Sequence, residues 1–146
     1  MNRMTKKKVL ISLLLVAFLA AAVGYYLFNK GPVDVKSSSA IKTDAIGLYE
    51  QFDADSTGAL KNYSGEILQV AGLVTAVTLN QKKEKIILLK TNTGGASVNC
   101  TMEEDPGEIN PGDTVNIKGI CSGIGQGDED LGIKGDVYLT RCFLIK

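Results

Sequence analysis

Few side chains in this sequence have the type and spacing for chemistry, and the most suggestive are Asp53, Asp55, Thr57 and Gly58. They fall on positions 1, 3, 5 and 6 of a calcium-loop pattern, where oxygen ligands alternate along the chain and a glycine allows the sharp turn. The pattern fails at position 12, where Ser64 supplies no bidentate carboxylate, and the following residues read as a strand instead of a second helix. An acidic helix-to-strand turn is the better description. Glu103, Glu104 and Asp105 form a second acidic group, but they are contiguous. Acid–base catalysis needs groups converging on one reacting centre, and a charge run in a single loop is a solvated surface. Gly123, Gly125 and Gly127 suggest a phosphate cradle, yet no strand-to-helix junction follows and Asp128, Glu129 and Asp130 would repel a phosphate. A flexible loop is expected there. The chain has no histidine, which removes the commonest general base and the commonest metal ligand. No enzymatic activity, metal or cofactor is expected.

The elements that carry these residues begin with a membrane segment. Val9 to Phe28 holds no charge and little polarity, and at about 1.5 Å per residue it spans the roughly 30 Å hydrocarbon core of a bilayer. Arg3, Lys6, Lys7 and Lys8 precede it, and Tyr25 and Tyr26 close it. Basic residues favour the cytoplasmic side and amphipathic rings the interface. The reading is a basic cytoplasmic tail over 1–8, a signal-anchor helix over 9–28, a linker over 29–40 and a folded domain over 41–146. A cleaved signal peptide is the alternative, with Ala20, Ala21 and Ala22 near its site, but the apolar run exceeds the 7 to 15 residues of a typical signal core. The expected location is the inner (cytoplasmic) membrane of a bacterial cell, with the domain periplasmic or extracellular. The linker, with Gly31, Pro32 and three serines, has too little apolar content to pack. Beyond the apolar run stand 12 basic and 16 acidic residues, a net charge of −4.

Within the domain, Ala45, Leu48, Tyr49 and Phe52 follow helical spacing, and Thr43 is placed to cap them. From Ile67 the period becomes strand-like, with Gly72 suited to a bend or bulge. Strands are predicted over 67–79, 85–91, 96–102, 114–121 and 137–145. In the third, Val98, Cys100 and Met102 face one side and Ser97, Asn99 and Thr101 the other. The long first strand, the wider gap before the fourth and the long loop before the fifth fit a mainly β fold, a five-stranded OB-type Greek-key barrel with one short N-terminal helix. A five-stranded meander is the alternative.

Particular words in the sequence are familiar. Lys61-Asn62-Tyr63-Ser64-Gly65-Glu66-Ile67 with Val70-Ala71-Gly72, then Val98-Asn99-Cys100, Lys118-Gly119-Ile120-Cys121-Ser122-Gly123 and Asp136-Val137-Tyr138-Leu139-Thr140-Arg141-Cys142, resemble the tRNA_anti-like family of OB-fold proteins. The resemblance runs from about Thr43 to Ile145. It implies an OB barrel preceded by a short helix, often behind a membrane or lipoprotein leader, in proteins mostly without an assigned function; it carries no catalytic residues. The loop Gly125 to Gly135 is longer than the family pattern. In OB strand order the fifth strand lies beside both the third and the fourth, so in an oxidising compartment Cys142 can reach Cys121 or Cys100. A Cys121–Cys142 bridge is the preferred expectation, and three buried thiols the alternative.

Two function classes remain. In the first, the domain is a ligand-binding module using the face of the second and third barrel strands, with Ser97, Asn99 and Thr101 outward and Lys82 and Lys83 on the adjoining turn. In the second it is a structural or interaction domain of an envelope complex. The expected partners are the membrane, through one helix, and an envelope protein or a glycan. Nucleic acid is not expected, because the domain is net acidic and those two strands carry no aromatic side chain for base stacking.

Overall fold

The computed structural model describes residues 3–146, with side chains from residue 6 onward, so the Arg3 side chain of the basic tail lies outside the described residues. The first helix, α1 (Arg3–Asn29), carries the apolar run. Its segment Lys6–Asn29, 24 residues, is long and apolar enough to cross a membrane. It belongs to a unit of its own, residues 1–33, and everything from Asp34 to Lys146 forms a second compact unit.

That second unit holds β1 (Ile41–Asp44), α2 (Ala45–Ala54), α3 (Ser56–Tyr63), β2 (Ile67–Leu79), β3 (Lys85–Lys90), β4 (Ser97–Met102), β5 (Thr114–Ile124) and β6 (Val137–Ile145). The sheet order is β1-β2-β3-β4-β6-β5, and β2 also pairs with β5. That last pairing closes β2 to β6 into a five-stranded OB-type barrel. The long β2 makes closure possible by changing partners: residues 67–73 pair with β5, while residues 74–79 pair with β3. A bulge between Val74 and Ala76 marks the change, two residues beyond the Gly72 at which the sequence suggested a bend. Alternation does the rest, with Ile87, Leu89, Val98, Cys100, Met102 and Leu139 fully buried inside.

The sequence missed two elements. β1 adds a sixth strand parallel to the first half of β2, from Ile41↔Leu68 to Asp44↔Ala71. α3 follows α2 after a single residue because Asp55, set aside above as a calcium-loop position, accepts from the Gly58 amide and caps it. Asp44, one residue after the expected Thr43, caps α2 by accepting from the Gly47 amide at 2.7 Å. Leu48, Tyr49 and Phe52 of α2 are almost wholly buried against the barrel.

The linker assignment needs correction over 34–40. Val35 is buried, and Lys118, a residue only 8% exposed, donates through its ammonium to the carbonyls of Lys36 and Ser38. Lys36 lies 4.8 Å over the Phe143 ring and pairs with Glu104 at 2.5 Å. Apolar content was the wrong criterion for this segment, because one buried valine and a buried ammonium hold it in place.

Candidate functional site

The outer surface of β3 and β4 is built by the pleat. Since Ile87 and Leu89 point inward, Ile86, Leu88 and Lys90 point out, opposite Thr101, Asn99 and Ser97 respectively. The register extends this surface on both sides: Ala76 lies beside Leu88, and Tyr138 of β6 beside Asn99. One row therefore reads Ala76, Leu88, Asn99, Tyr138, and the next Thr78, Ile86, Thr101. Ser97, Asn99 and Thr101 thus share one face as expected, but among half-buried aliphatic side chains. Ser97 is fixed through its amide, which donates to Asp136 at 2.8 Å.

Tyr138, 40% exposed, is the residue the sequence analysis missed. β3 and β4 carry no aromatic, yet β6 supplies one at the edge of the same face. Its ring lies along Gly125, where a Cβ would stand 2.7 Å from Cε2. The pairing of an isolated glycine in the loop with a strand tyrosine was the available signal, and it needs the β5–β6 register to be read.

Lys82 and Lys83 sit on the β2–β3 turn beyond the Thr78–Ile86–Thr101 row. The turn is built around Asn80, whose side-chain oxygen accepts from the amides of Lys82 and Glu84. Lys83 takes a positive φ of 63° there. At the other end of the face the 125–136 segment is no slack loop. Asp128 and Ile133 exchange backbone hydrogen bonds, making a small hairpin. Lys134 pairs with Asp53 at 2.6 Å, and the Tyr49 hydroxyl donates to the Gly135 carbonyl at 2.9 Å, which pins the hairpin to α2. A side chain at Gly127 or Gly135 would run into the backbone of the opposite arm, so these glycines serve close approach instead of flexibility. Asp128, Glu129 and Asp130 are thus presented by a held hairpin.

The electrostatics are correspondingly divided, with cations at the Lys82–Lys83 end and carboxylates at the hairpin end. Four other cations are neutralised in ion pairs: Lys36 with Glu104, Lys85 with Asp105, Lys134 with Asp53 and Arg141 with Glu103. The Lys85 ammonium holds the Asp105 carboxyl below its ordinary range. Asp53 and Asp55, spent on an ion pair and a helix cap, do not converge, and among the described residues no cluster of potential metal ligands forms. A cavity of about 460 Å³ opens elsewhere, where β2 passes from β1 to β3, and is lined by Ala45, Ile46, Ala71, Leu73 and Lys90 among others.

The cysteine expectation is also corrected. Cys100, Cys121 and Cys142 are buried free thiols. A register shift in β6 separates Ile120↔Thr140 from Lys118↔Phe143, so Arg141 and Cys142 both fall opposite Gly119. Arg141 takes φ of 51° at this bulge. Cys142 is turned over Gly119 and toward Cys100, while Cys121 stands opposite Leu139. The neighbouring Cys142 thiol and complete burial push Cys100 well above the ordinary cysteine range.

The chain matches no curated protein sequence. Among solved structures, it is similar to a putative aspartyl-tRNA synthetase from Leishmania major Friedlin, at 11% identity and a TM-score of 0.44 over 86% of this chain. The match takes in only 25% of that synthetase chain. It is also similar to the OBody AM1L10 solved bound to hen egg-white lysozyme, at 22% identity and a TM-score of 0.36, covering 64% of this chain and 89% of that one. The tRNA_anti-like family model matches residues 1–129, which is most of the sequence, and the chain belongs to that family.

Proposed function

We propose that this chain is a single-pass membrane protein, N-terminus cytoplasmic, whose exported OB domain is a non-catalytic binding module for a neutral, hydroxyl-rich ligand such as an envelope glycan. The observation that supports this reading is the mixed row Leu88, Asn99, Tyr138 with Ser97 and Thr101 beside it. Sugars present apolar C–H faces and peripheral hydroxyls, so an aromatic ring and aliphatic patch next to amide and hydroxyl groups suit them. Phosphate-bearing ligands are less suited. Affinity for a polyanion comes mainly from neutralised phosphates, and here the acidic hairpin borders the face, Lys85 and Arg141 are already paired, and Lys82, Lys83 and Lys90 are the cations left for a ligand. One tyrosine is a poor platform for a run of stacked bases.

The test uses the full chain in lipid nanodiscs on a glycan array, with single-stranded DNA and RNA titrated by fluorescence anisotropy at about 0.15 M salt. At least one glycan class should bind, and Asn99→Ala and Tyr138→Ala should each weaken it about tenfold or more, the loss of one or two polar or stacking contacts. Oligonucleotides should not bind below micromolar. Submicromolar, salt-sensitive nucleic-acid binding would overturn the reading, and so would glycan binding indifferent to both substitutions. A reporter active only outside the cytoplasm, fused after Lys146, should be active.

A second reading has its own support. Leu131 is 72% and Ile133 51% exposed on the pinned hairpin, beside three carboxylates. Such a projection suits a contact with another envelope protein, and it predicts binding that survives Tyr138→Ala but fails with Leu131→Asp.

A further inference from the structure

We propose that residues 34–40 form a releasable strap and that Lys118 is its latch, so that the free chain between α1 and the domain has two lengths. The strap makes no strand pairing. It is a turn closed on Asp34, whose carboxylate accepts from the Lys36 and Ser37 amides and the Ser37 hydroxyl, and whose carbonyl accepts from the Ser38 amide. Those bonds are internal to the turn and would survive its departure. What ties it to the barrel is a short set of side-chain contacts: buried Val35, Lys118 with the carbonyls of Lys36 and Ser38, Lys36 over Phe143, and Lys36 with Glu104.

Lys118 is the unusual member. It is one of two buried polar residues in the domain, the other being Thr91, and no carboxylate pairs with it among the described residues. Among the described residues its ammonium donates only to strap carbonyls, which supply the compensation that a charge needs when it is buried. Releasing the strap hands the ammonium back to water, so the cost of opening is offset where a buried charge would otherwise be stranded. Segments held by few buried contacts open below the free energy of global unfolding.

The release has a defined stop. At Ile41 the chain enters the β1 ladder with β2. With the strap docked, the free chain is the four residues Lys30 to Val33; with it released, the eleven residues Lys30 to Ala40. At roughly 3.5 Å per extended residue these reach about 14 and about 38 Å. Opening also uncovers Phe143, now 9% exposed, together with the Lys118 ammonium.

The test is limited trypsin digestion and amide exchange of the full chain in nanodiscs. Exchange at Lys36 to Ala40 should run at least tenfold faster than at Lys42 and Thr43 in β1. Lys118→Met should raise the cleavage rate after Lys36 tenfold or more and leave cleavage after Lys90 and Arg141, which lie in barrel strands, unchanged. Val35→Asp, which does not touch the barrel sequence, should do the same. The proposal fails if strap and β1 exchange together, if either variant leaves Lys36 protected, or if cleavage after Lys90 and Arg141 rises in parallel.

Discussion

Gly119→Ala tests the β6 bulge, because the sign of its effect depends on where the Cys142 sulfur lies. Gly119 has an ordinary strand conformation, so an alanine there would by itself add roughly 0.5 to 1 kcal/mol by lowering the entropy of the unfolded chain. Against this, its Cβ would stand 2.5 Å from Cys142 Sγ and 3.1 Å from the Thr140 carbonyl oxygen. Neither neighbour is the free end of a flexible side chain, and overpacking of this kind costs about 1 to 3 kcal/mol. The clash should win, with a net loss of about 1 to 2 kcal/mol and a fall in Tm of about 4 to 8 °C, at roughly 4 °C per kcal/mol for a domain of this size. Cys142→Ala alone removes a buried sulfur and should cost about 1 kcal/mol. Together the two should recover most of the Gly119→Ala loss, giving a favourable coupling of about 1 kcal/mol or more, because the alanine methyl then enters vacated space. The measurement is denaturant unfolding of the full chain in nanodiscs followed by tyrosine fluorescence, for the wild type and all three variants. Additivity within about 0.5 kcal/mol would show that Cys142 does not lie over Gly119, and the assigned register of β6 would be wrong.

Tyr49→Phe should destabilise the domain by about 0.5 to 1.5 kcal/mol by orphaning the Gly135 carbonyl, and should accelerate amide exchange at Asp128 and Ile133; unchanged exchange there would mean the hairpin is not pinned through Tyr49. Alkylation of the denatured, unreduced chain followed by mass spectrometry should label Cys100, Cys121 and Cys142, and two labels fewer would restore a bridge. Asp34 is held below its ordinary value of 3.8 chiefly by the Ser37 hydroxyl. A carboxyl with a lowered folded value stabilises its turn at higher pH and loses that contribution as the pH falls through the folded value. The Lys36 and Ser37 amide resonances should therefore shift with a midpoint below 3.8; a midpoint above it would refute the Asp34 turn.

The barrel strands were legible because their inward residues alternate without interruption, as at Ile87 and Leu89 or Val98, Cys100 and Met102. The same rule failed at Cys142, where one bulged residue moves the inward positions from Val137 and Leu139 to Cys142 and Leu144, and turns Phe143 out beneath Lys36 of the strap. A bulge leaves no compositional mark; Arg141 is an unremarkable residue in an unusual conformation. β1 was illegible for a different reason. Its four residues Ile41 to Asp44 have no period of their own, and only the unpaired flank of β2 makes them a strand. For the candidate face, Ser97, Asn99 and Thr101 could be grouped by alternation within one strand, but adding Leu88 and Tyr138 required register between strands. Local pattern reaches one element, and a site built from three needs their alignment.

The N-terminal extension also decides which surfaces remain available. A bare OB barrel offers two ends, its sheet edges and a broad outer wall. Here β1 covers the outer flank of β2's first half, from Leu68 to Ala71. Phe52 and Ala59 carry α2 and α3 onto the domain core, where Leu60 approaches Gly123 and Tyr49 reaches Gly135. The strap lies on β5 and β6 through Lys118 and Phe143. What stays uncovered is the wall formed by Leu88, Asn99 and Tyr138, together with the turn of Lys82 and Lys83, the tip of the acidic hairpin and the cavity beside Ile46 and Leu73. A segment of some thirty residues that packs on the flank of β2 and on β5 and β6 leaves two open surfaces, this wall and the cavity beside Ala71 and Leu73, and the proposed reading uses the wall because only there do aliphatic, amide and aromatic side chains share one face. Variants that remove the extension's contacts, such as Val35→Asp, should therefore leave binding at Tyr138 intact, because they open a different wall.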